Sequence, residues 1–253
     1  AYHQSRIKGK FRIGGLKSTN PISVGDRVKL FLEGNDYLIN EILQRKNYII
    51  RKSVNLSKQV HIIASNIDQA FLIVTLVSPF TSTGFIDRFL VTAEAYQVPT
   101  IIVFNKVDLY DEFDREYHDE VVKVYSDAGY ECIEVSALNQ QNISVLTERM
   151  KDNVTLLSGH SGVGKSTLVN AIDPNLDLLT QQVSDAHQKG MHTTTFAEMF
   201  ELDFGGFIID TPGIKGLGLV EIEDSELADY FPEMLAFKGQ CKFHNCKHLN
   251  EPK

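Results

Sequence analysis

The sequence predicts an α/β fold with a mostly parallel sheet, preceded by a small β-barrel and followed by a short Cys/His segment. Three observations carry this expectation. From about Val60, apolar stretches alternate with helical patterns, which suits parallel strands covered by helices on both faces. A glycine-rich loop, Gly159-x4-Gly164-Lys165-Ser166, lies between one of those strands and a helical run. Before Val60 the chain consists of short β segments with turn punctuation.

In chain order, the first strands are expected at Lys10–Ile13, Arg27–Phe31, Tyr37–Ile42 and Tyr48–Arg51. They are separated by Gly14-Gly15, Asn20-Pro21, Gly25-Asp26 and Gly34-Asn35. Short strands at this spacing in a small basic unit suit an OB-like or SH3-like barrel. The chain begins close to a strand without an initiator Met, so a first strand is expected upstream. Buried strands follow at Gln69–Val74, Thr100–Phe104, Cys132–Val135, Val154–Leu157 and Phe207–Ile209, with helices at Phe85–Tyr96, Glu116–Ala128, Ser144–Lys151 and Thr167–Ile172. Each strand ends where a motif begins, and open α/β sheets place ligands at the carboxyl ends of their strands. From about Glu221 the chain turns acidic and then Cys/His-rich. The expected division is residues 1–58 for the barrel, 59–220 for the α/β domain and 221–253 for the start of a third module.

Bulk properties narrow the class. With 253 residues, 43% hydrophobic and 23% charged, the composition is that of an ordinary globular protein. The longest apolar run, Ala70 to Val77, is too short to span a bilayer, and no basic-then-apolar leader opens the chain. A cytoplasmic, membrane-free protein is expected. Three cysteines, Cys132, Cys241 and Cys246, argue against a disulfide framework. The net charge of −8 is unevenly spread: residues 1–60 hold 12 Lys/Arg against 4 Asp/Glu, the remainder 13 against 29. A basic module joined to an acidic body suggests a nucleic-acid-facing domain beside a catalytic one.

The glycine-rich loop runs Gly159-His160-Ser161-Gly162-Val163-Gly164-Lys165-Ser166-Thr167. Such a loop turns backbone N–H groups onto phosphates, aided by the positive end of the following helix. Lys165 would bridge the β- and γ-phosphates and the Ser166 hydroxyl would ligate Mg²⁺. Roughly 50 residues downstream, Asp210-Thr211-Pro212-Gly213 follows another strand. Here Asp210 would hold the Mg²⁺ shell and the Gly213 N–H would meet the γ-phosphate. Between them, in Lys189-Gly190-Met191-His192-Thr193-Thr194-Thr195, Thr194 is the first candidate to complete that shell, with Thr193 next. From Thr195 onward the run also suits a strand face.

Base choice points to guanine. Asn105, Lys106 and Asp108 follow a strand, and Asp108 can accept from both N1–H and the exocyclic amine of guanine, a donor pair adenine lacks. Lys106 would lie over the base, Asn105 would tie this turn to the phosphate loop, and Ser136-Ala137, the start of Ser136-Ala137-Leu138, would offer a backbone N–H to the guanine O6. An ATP-using enzyme is disfavoured by Asp108 alone. Ile214 follows Gly213 where a water-orienting glutamine could stand, so unaided hydrolysis is expected to be slow. His192 is the first candidate to position water and His160 a weaker rival.

The base readers precede the phosphate loop, the reverse of an ordinary GTPase, so the chain resembles a circular permutant. The order NKVD, SAL, GHSGVGKST, HTTT, DTPG, between a basic barrel and a Cys/His segment, resembles the circularly permuted ribosome small-subunit-dependent GTPase A family across essentially the whole chain. The resemblance implies an N-terminal OB-fold, a permuted P-loop GTPase domain and a C-terminal zinc-binding domain. It implies Mg²⁺ with GTP, GTPase activity raised by the small ribosomal subunit, and a late role in maturing that particle, with its rRNA as partner and a monomeric protein. His192, Thr194, Lys165 and Gly213 take the catalytic roles in this reading. One structural Zn²⁺ would be held by Cys241, Cys246 and His248, with the fourth ligand expected one position beyond Lys253 and His244 as a further donor. A GTP-gated rRNA-binding placeholder, released by hydrolysis, is the alternative. Because Ile214 to Leu219 leads toward the Cys/His module, the nucleotide state is expected to set the angle between the two flanking modules.

Overall fold

Strands that are apolar on both faces need cover on both sides, and the arrangement of elements in the computed structural model supplies it. The structure describes residues 3–7, 21–34, 36–52, 60–176, 197–210, 222–223, 226–237 and 240. The first strands are β1 (Ser5–Ile7), β2 (Val28–Glu33) and β3 (Asp36–Ile42), in the order β1-β3-β2. Strand β3 pairs parallel with β1 and antiparallel with β2. Strands β4 (Tyr48–Lys52) and β5 (Val60–Ser65) form a separate antiparallel pair. The expected break between residues 58 and 59 thus falls between two paired strands. The strand expected at Lys10–Ile13 lies outside the described residues.

An ion pair fastens this region together. Arg45 grips Asp26 with Nε on Oδ1 at 2.6 Å and Nη2 on Oδ2 at 2.7 Å. The Ser65 hydroxyl and the Ser23 N–H donate to the same carboxylate. Only 9% of the Arg45 side chain and 1% of the Asp26 side chain are exposed. Burial alone would raise the Asp26 carboxyl, but Arg45 and the two serine donors together hold it below its ordinary value. Asn47 then joins the β4 approach to the next domain, its side chain bonding the Ile67 N–H and carbonyl and the Gln97 carbonyl.

The α/β domain runs β6 (Gln69–Val74), α1 (Thr83–Ala95), β7 (Thr100–Phe104), α2 (Glu112–Asp127), β8 (Glu131–Glu134), α3 (Ile143–Met150), β9 (Val154–Ser158), α4 (Lys165–Ile172), β10 (Glu198–Glu201) and β11 (Phe207–Asp210). A short helix α5 (Pro232–Leu235) follows. The sheet order is β10-β11-β9-β6-β7-β8, all parallel except β10, which runs antiparallel to β11. Alternate residues of the central strands feed two cores. Leu72, Val74, Ile102 and Phe104 pack with Ile86 and Phe89 of α1 and Val121 of α2. Phe71, Ile73, Ile101 and Val103 pack with Leu146 of α3 and Leu168 of α4. Among the described residues, no helix is long and apolar enough to cross a membrane.

Counting from β9 instead of β6 gives β9, β10, β11, β6, β7, β8, with the phosphate-loop strand first and the base-reading strands last. Lys151-Asp152-Asn153 alone joins α3 to β9. Asp152 takes a left-handed conformation (φ 58°), and the Asn153 side chain donates to the Arg149 and Lys151 carbonyls.

Candidate nucleotide site

Parallel pairing puts the carboxyl ends of β6, β7, β8, β9 and β11 along one edge, and the sequence motifs follow those ends. In the phosphate loop, Gly159, Gly162 and Gly164 all have positive φ. Two of them are dictated by close neighbours. A Cβ at Gly159 would run into the Ile73 carbonyl, and one at Gly164 would sit 2.6 Å from Asn105 Nδ2. Helix α4 begins immediately after Gly164, so its unpaired first-turn N–H groups point where an anion is best held. Ser166 and Thr167 occupy that first turn. Lys165 Nζ donates to the Gly159 and His160 carbonyls at 2.8 and 3.0 Å. Burial lowers the Lys165 ammonium from its ordinary value, with Asp210 opposing that shift. Asp210 ends β11 and pairs in register with Leu157 of β9. It therefore stands beside the strand that delivers the loop.

Asn105 links all three loops. It is 1% exposed. Its Nδ2 donates to the Val163 carbonyl of the phosphate loop at 2.8 Å, and its Oδ1 accepts from the Ala137 N–H at 3.2 Å. Ser136 is held by reciprocal backbone bonds with Gln141, and its hydroxyl accepts from the Asn139 N–H. The Ala137 N–H is therefore directed at Asn105, and the next N–H, that of Leu138, is the nearer candidate for a base oxygen. Lys106 takes a left-handed conformation (φ 64°). Its Nζ reaches back to the Gly162 carbonyl at 2.7 Å and the Ser78 carbonyl at 2.6 Å, so its stem spans from the base-reading turn to the phosphate loop. Burial lowers its ammonium, and Asp108 partly restores it. Asp108 is exposed on the turn. It stands at the mouth of the cleft, where a bound base would itself supply the cover.

Sequence reasoning missed the Ser78 loop. It packs Pro79 against Gly162, 3.5 Å from where a Cβ would stand, and takes the second bond from Lys106. A backbone carbonyl has no residue-type signature, so no sequence signal could have found it. His160, the weaker candidate for positioning water, lies against α1. Its ring lies 3.7 Å from that of Phe85 on α1, and burial, Lys165 and Arg88 all lower its pKa. Gly213, His192, Thr193, Thr194, Cys241, His244, Cys246 and His248 lie outside the described residues.

Replacing Asn105 with alanine leaves the Val163 carbonyl and the Ala137 N–H without their partner, at about 1–3 kcal/mol per buried group. GDP affinity is expected to fall ~10–100-fold, measured with a fluorescent GDP analogue. Unchanged affinity would mean the loops hold their places without it.

Known proteins resemble this chain in sequence and fold. A family profile described as RsgA GTPase matches residues 42–220. The small ribosomal subunit biogenesis GTPase RsgA of Christiangramia forsetii is 56% identical over 256 residues, spanning 100% of this chain and 81% of that protein. Its namesake from Bacteroides fragilis is 54% identical over 251 residues, spanning 98% and 81%. Among solved structures, YjeQ from Thermotoga maritima superposes with a TM-score of 0.78 at 37% identity, covering 99% of this chain and 80% of that one. YloQ, described as a circularly permuted GTPase, gives 0.70 at 32%, covering 96% and 75%. With the family match spanning most of the chain and relatives above half identical along its length, the chain belongs to the RsgA GTPase family.

Proposed function

We propose that the chain hydrolyses GTP to GDP and phosphate while serving the biogenesis of the small ribosomal subunit, the role that its relatives' names give them. The observation that carries the chemical half is the Asn105 amide, which fastens the base-reading and phosphate-binding loops into one site. Asp108 selects guanine by accepting from its two donors, and the stem of Lys106 covers the base. The α4 N-terminus and Lys165 hold the β- and γ-phosphates. Hydroxyl and carboxylate oxygens are the donors Mg²⁺ prefers, and Ser166, Asp210 and Thr194 would hold it. When bound it neutralises charge developing on the phosphates. Gly213 would meet the γ-phosphate through its N–H, and His192 would orient the attacking water in place of the glutamine that Ile214 replaces.

The flanking modules supply the partner contacts in this reading. The basic residues 1–58, rich in short strands, form an OB-like barrel that touches rRNA. Cys241, Cys246 and His248 offer the thiolate and imidazole donors that suit structural zinc, which takes four ligands. The protein acts as a monomer in the cytoplasm.

The test is GTP turnover with purified small or large ribosomal subunits. Stimulation by small subunits alone is the expected result, and stimulation by neither, without GTP-dependent binding, would overturn the reading. GTP-dependent binding with no change in turnover would instead favour a placeholder released by hydrolysis. In the stimulated reaction, His192→Ala is expected to lose roughly 10²-fold in turnover with GTP affinity retained. Unchanged stimulated turnover would remove His192 from the mechanism.

A further inference from the structure

Where residues 226–237 pack across α1 and α2, they enclose a cavity of about 270 Å³. This lies below the ~300–1,000 Å³ typical of small-molecule pockets, a size that suits a single side chain rather than a cofactor. Its walls combine two kinds of group. Aromatic rings come from Tyr125 at the end of α2, from Tyr130, and from Tyr230 and Phe231 of the C-terminal segment. Carboxylates come from Asp87, Asp127 and Glu233, one from each of the three elements, and no Lys or Arg lines the space.

The charged residues that line the cavity have one sign. The Tyr125 hydroxyl donates to Asp87 at 2.8 Å and the Tyr130 hydroxyl to Glu94 at 3.2 Å. Burial first, then Glu94, Glu233 and Asp87, raise the Tyr130 phenol and keep it protonated. Helix α2 carries six carboxylates against two cations, and residues 221–237 carry six carboxylates with no Lys or Arg. One cation already meets the cavity wall: Lys123 pairs with Asp127 at 2.6 Å where both side chains are exposed, a contact of little worth that a better cation can displace. Apolar Leu90, Val91 and Val124 complete the lining, and Val124 is exposed. Phosphate backbones are repelled by this field. A guanidinium is attracted both by ring faces and by planar carboxylates.

We propose that this cavity is a docking site for an arginine side chain projecting from a basic polypeptide segment of the particle on which the protein works. The partner's origin rests on the function proposed above, whereas the chemistry of the pocket does not. The basic N-terminal region would then face rRNA, and the acidic face of α1, α2 and residues 226–237 would face ribosomal protein.

Two measurements on the whole chain test this. The first titrates acetyl-Gly-Arg-Gly-amide and its citrulline twin, equal in shape but uncharged, while following tyrosine ring resonances by NMR. The arginine peptide is expected to shift Tyr130 and Tyr230 with millimolar affinity, and citrulline to bind at least ~10-fold more weakly. The Asp127→Lys/Glu233→Lys variant, altered at exposed positions, is expected to lose the arginine response with basal GTP turnover unchanged. Equal responses to both peptides, or none, would overturn the proposal. The second places a photo-crosslinking residue at Val124, in the presence of purified small subunits. Capture of a basic ribosomal-protein segment supports the proposal, whereas capture of rRNA or of residues 238–253 of the same chain overturns it. Failure of the unaltered protein to bind small subunits counts against the proposed function alone, and the arginine titration then decides the pocket.

Discussion

Asp108→Asn is expected to lower the preference for GTP over ATP by about 10²–10⁴-fold. In the proposed site the carboxylate would face two donors on guanine, and hydrogen bonds to a charged group contribute about 1.5–3 kcal/mol each. An asparagine amide keeps one acceptor and turns a donor toward a donor. The turn itself has other anchors: Val107 is 1% exposed, its N–H donates to the Val135 carbonyl, and its own carbonyl accepts from Arg115. The variant is therefore expected to fold like its parent. Xanthosine triphosphate, which presents a carbonyl where guanine has its amine, is expected to gain affinity in the same variant. Competition binding with the three nucleotides measures both effects. If GTP affinity survived unchanged with the melting curve intact, Asp108 would not be the base reader.

Arg45→Met is expected to cost about 3–5 kcal/mol of folding stability, because it leaves the Asp26 carboxylate buried without its counter-charge. Methionine retains most of the stem, so the loss reads the charge rather than the packing. Adding Asp26→Asn is expected to recover much of it, since an amide can still take the Ser23 and Ser65 donors without being charged. The acid dependence has a definite sign. Asp26 has a folded-state pKa below its ordinary 3.8, so its contribution is present above that value and is lost as pH falls through the lower folded pKa. Denaturant titrations of parent and Asp26→Asn should differ by a constant amount from neutral pH to about 4 and converge in stronger acid. A loss under about 1 kcal/mol for Arg45→Met would place the pair among ordinary surface bridges.

What the sequence made legible follows from where each signal resides. Strands β6 and β7 were legible to the residue because both faces are buried, so all but their first positions are apolar. Helix α2 begins four residues before its expected start, at Glu112 rather than Glu116. Its first turn is charged and shows no apolar period, but Asp111 and Asp114 form a reciprocal cap that could have marked it. Strands β5 and β10 escaped an exact reading. Strand β10 is largely exposed at the sheet edge, and its register comes from pairing with β11 rather than from its own pattern. The Asn105 tie could be anticipated because a motif carries it in a side chain. The Ser78 contact with Lys106 depends on how one loop approaches another, which local sequence does not encode.

The three-residue junction from Lys151 to Asn153 has a consequence for how the protein is made. The segments expected to choose the base, Asn105 to Leu138, lie before that junction, and those expected to hold phosphate, Gly159 to Gly213, lie after it. Synthesis therefore completes the selective half of the cleft first, as β6, β7 and β8 with their helices. This half must stand without the nucleotide's help until β9 arrives to pair with β6 along the open edge. In a chain that began with its phosphate loop, the tightest-binding element would emerge first and could hold nucleotide while the rest was built. Here the growing chain can hold GTP fully only once β9 and the segments after it have been translated, so binding coincides with the closing of the sheet.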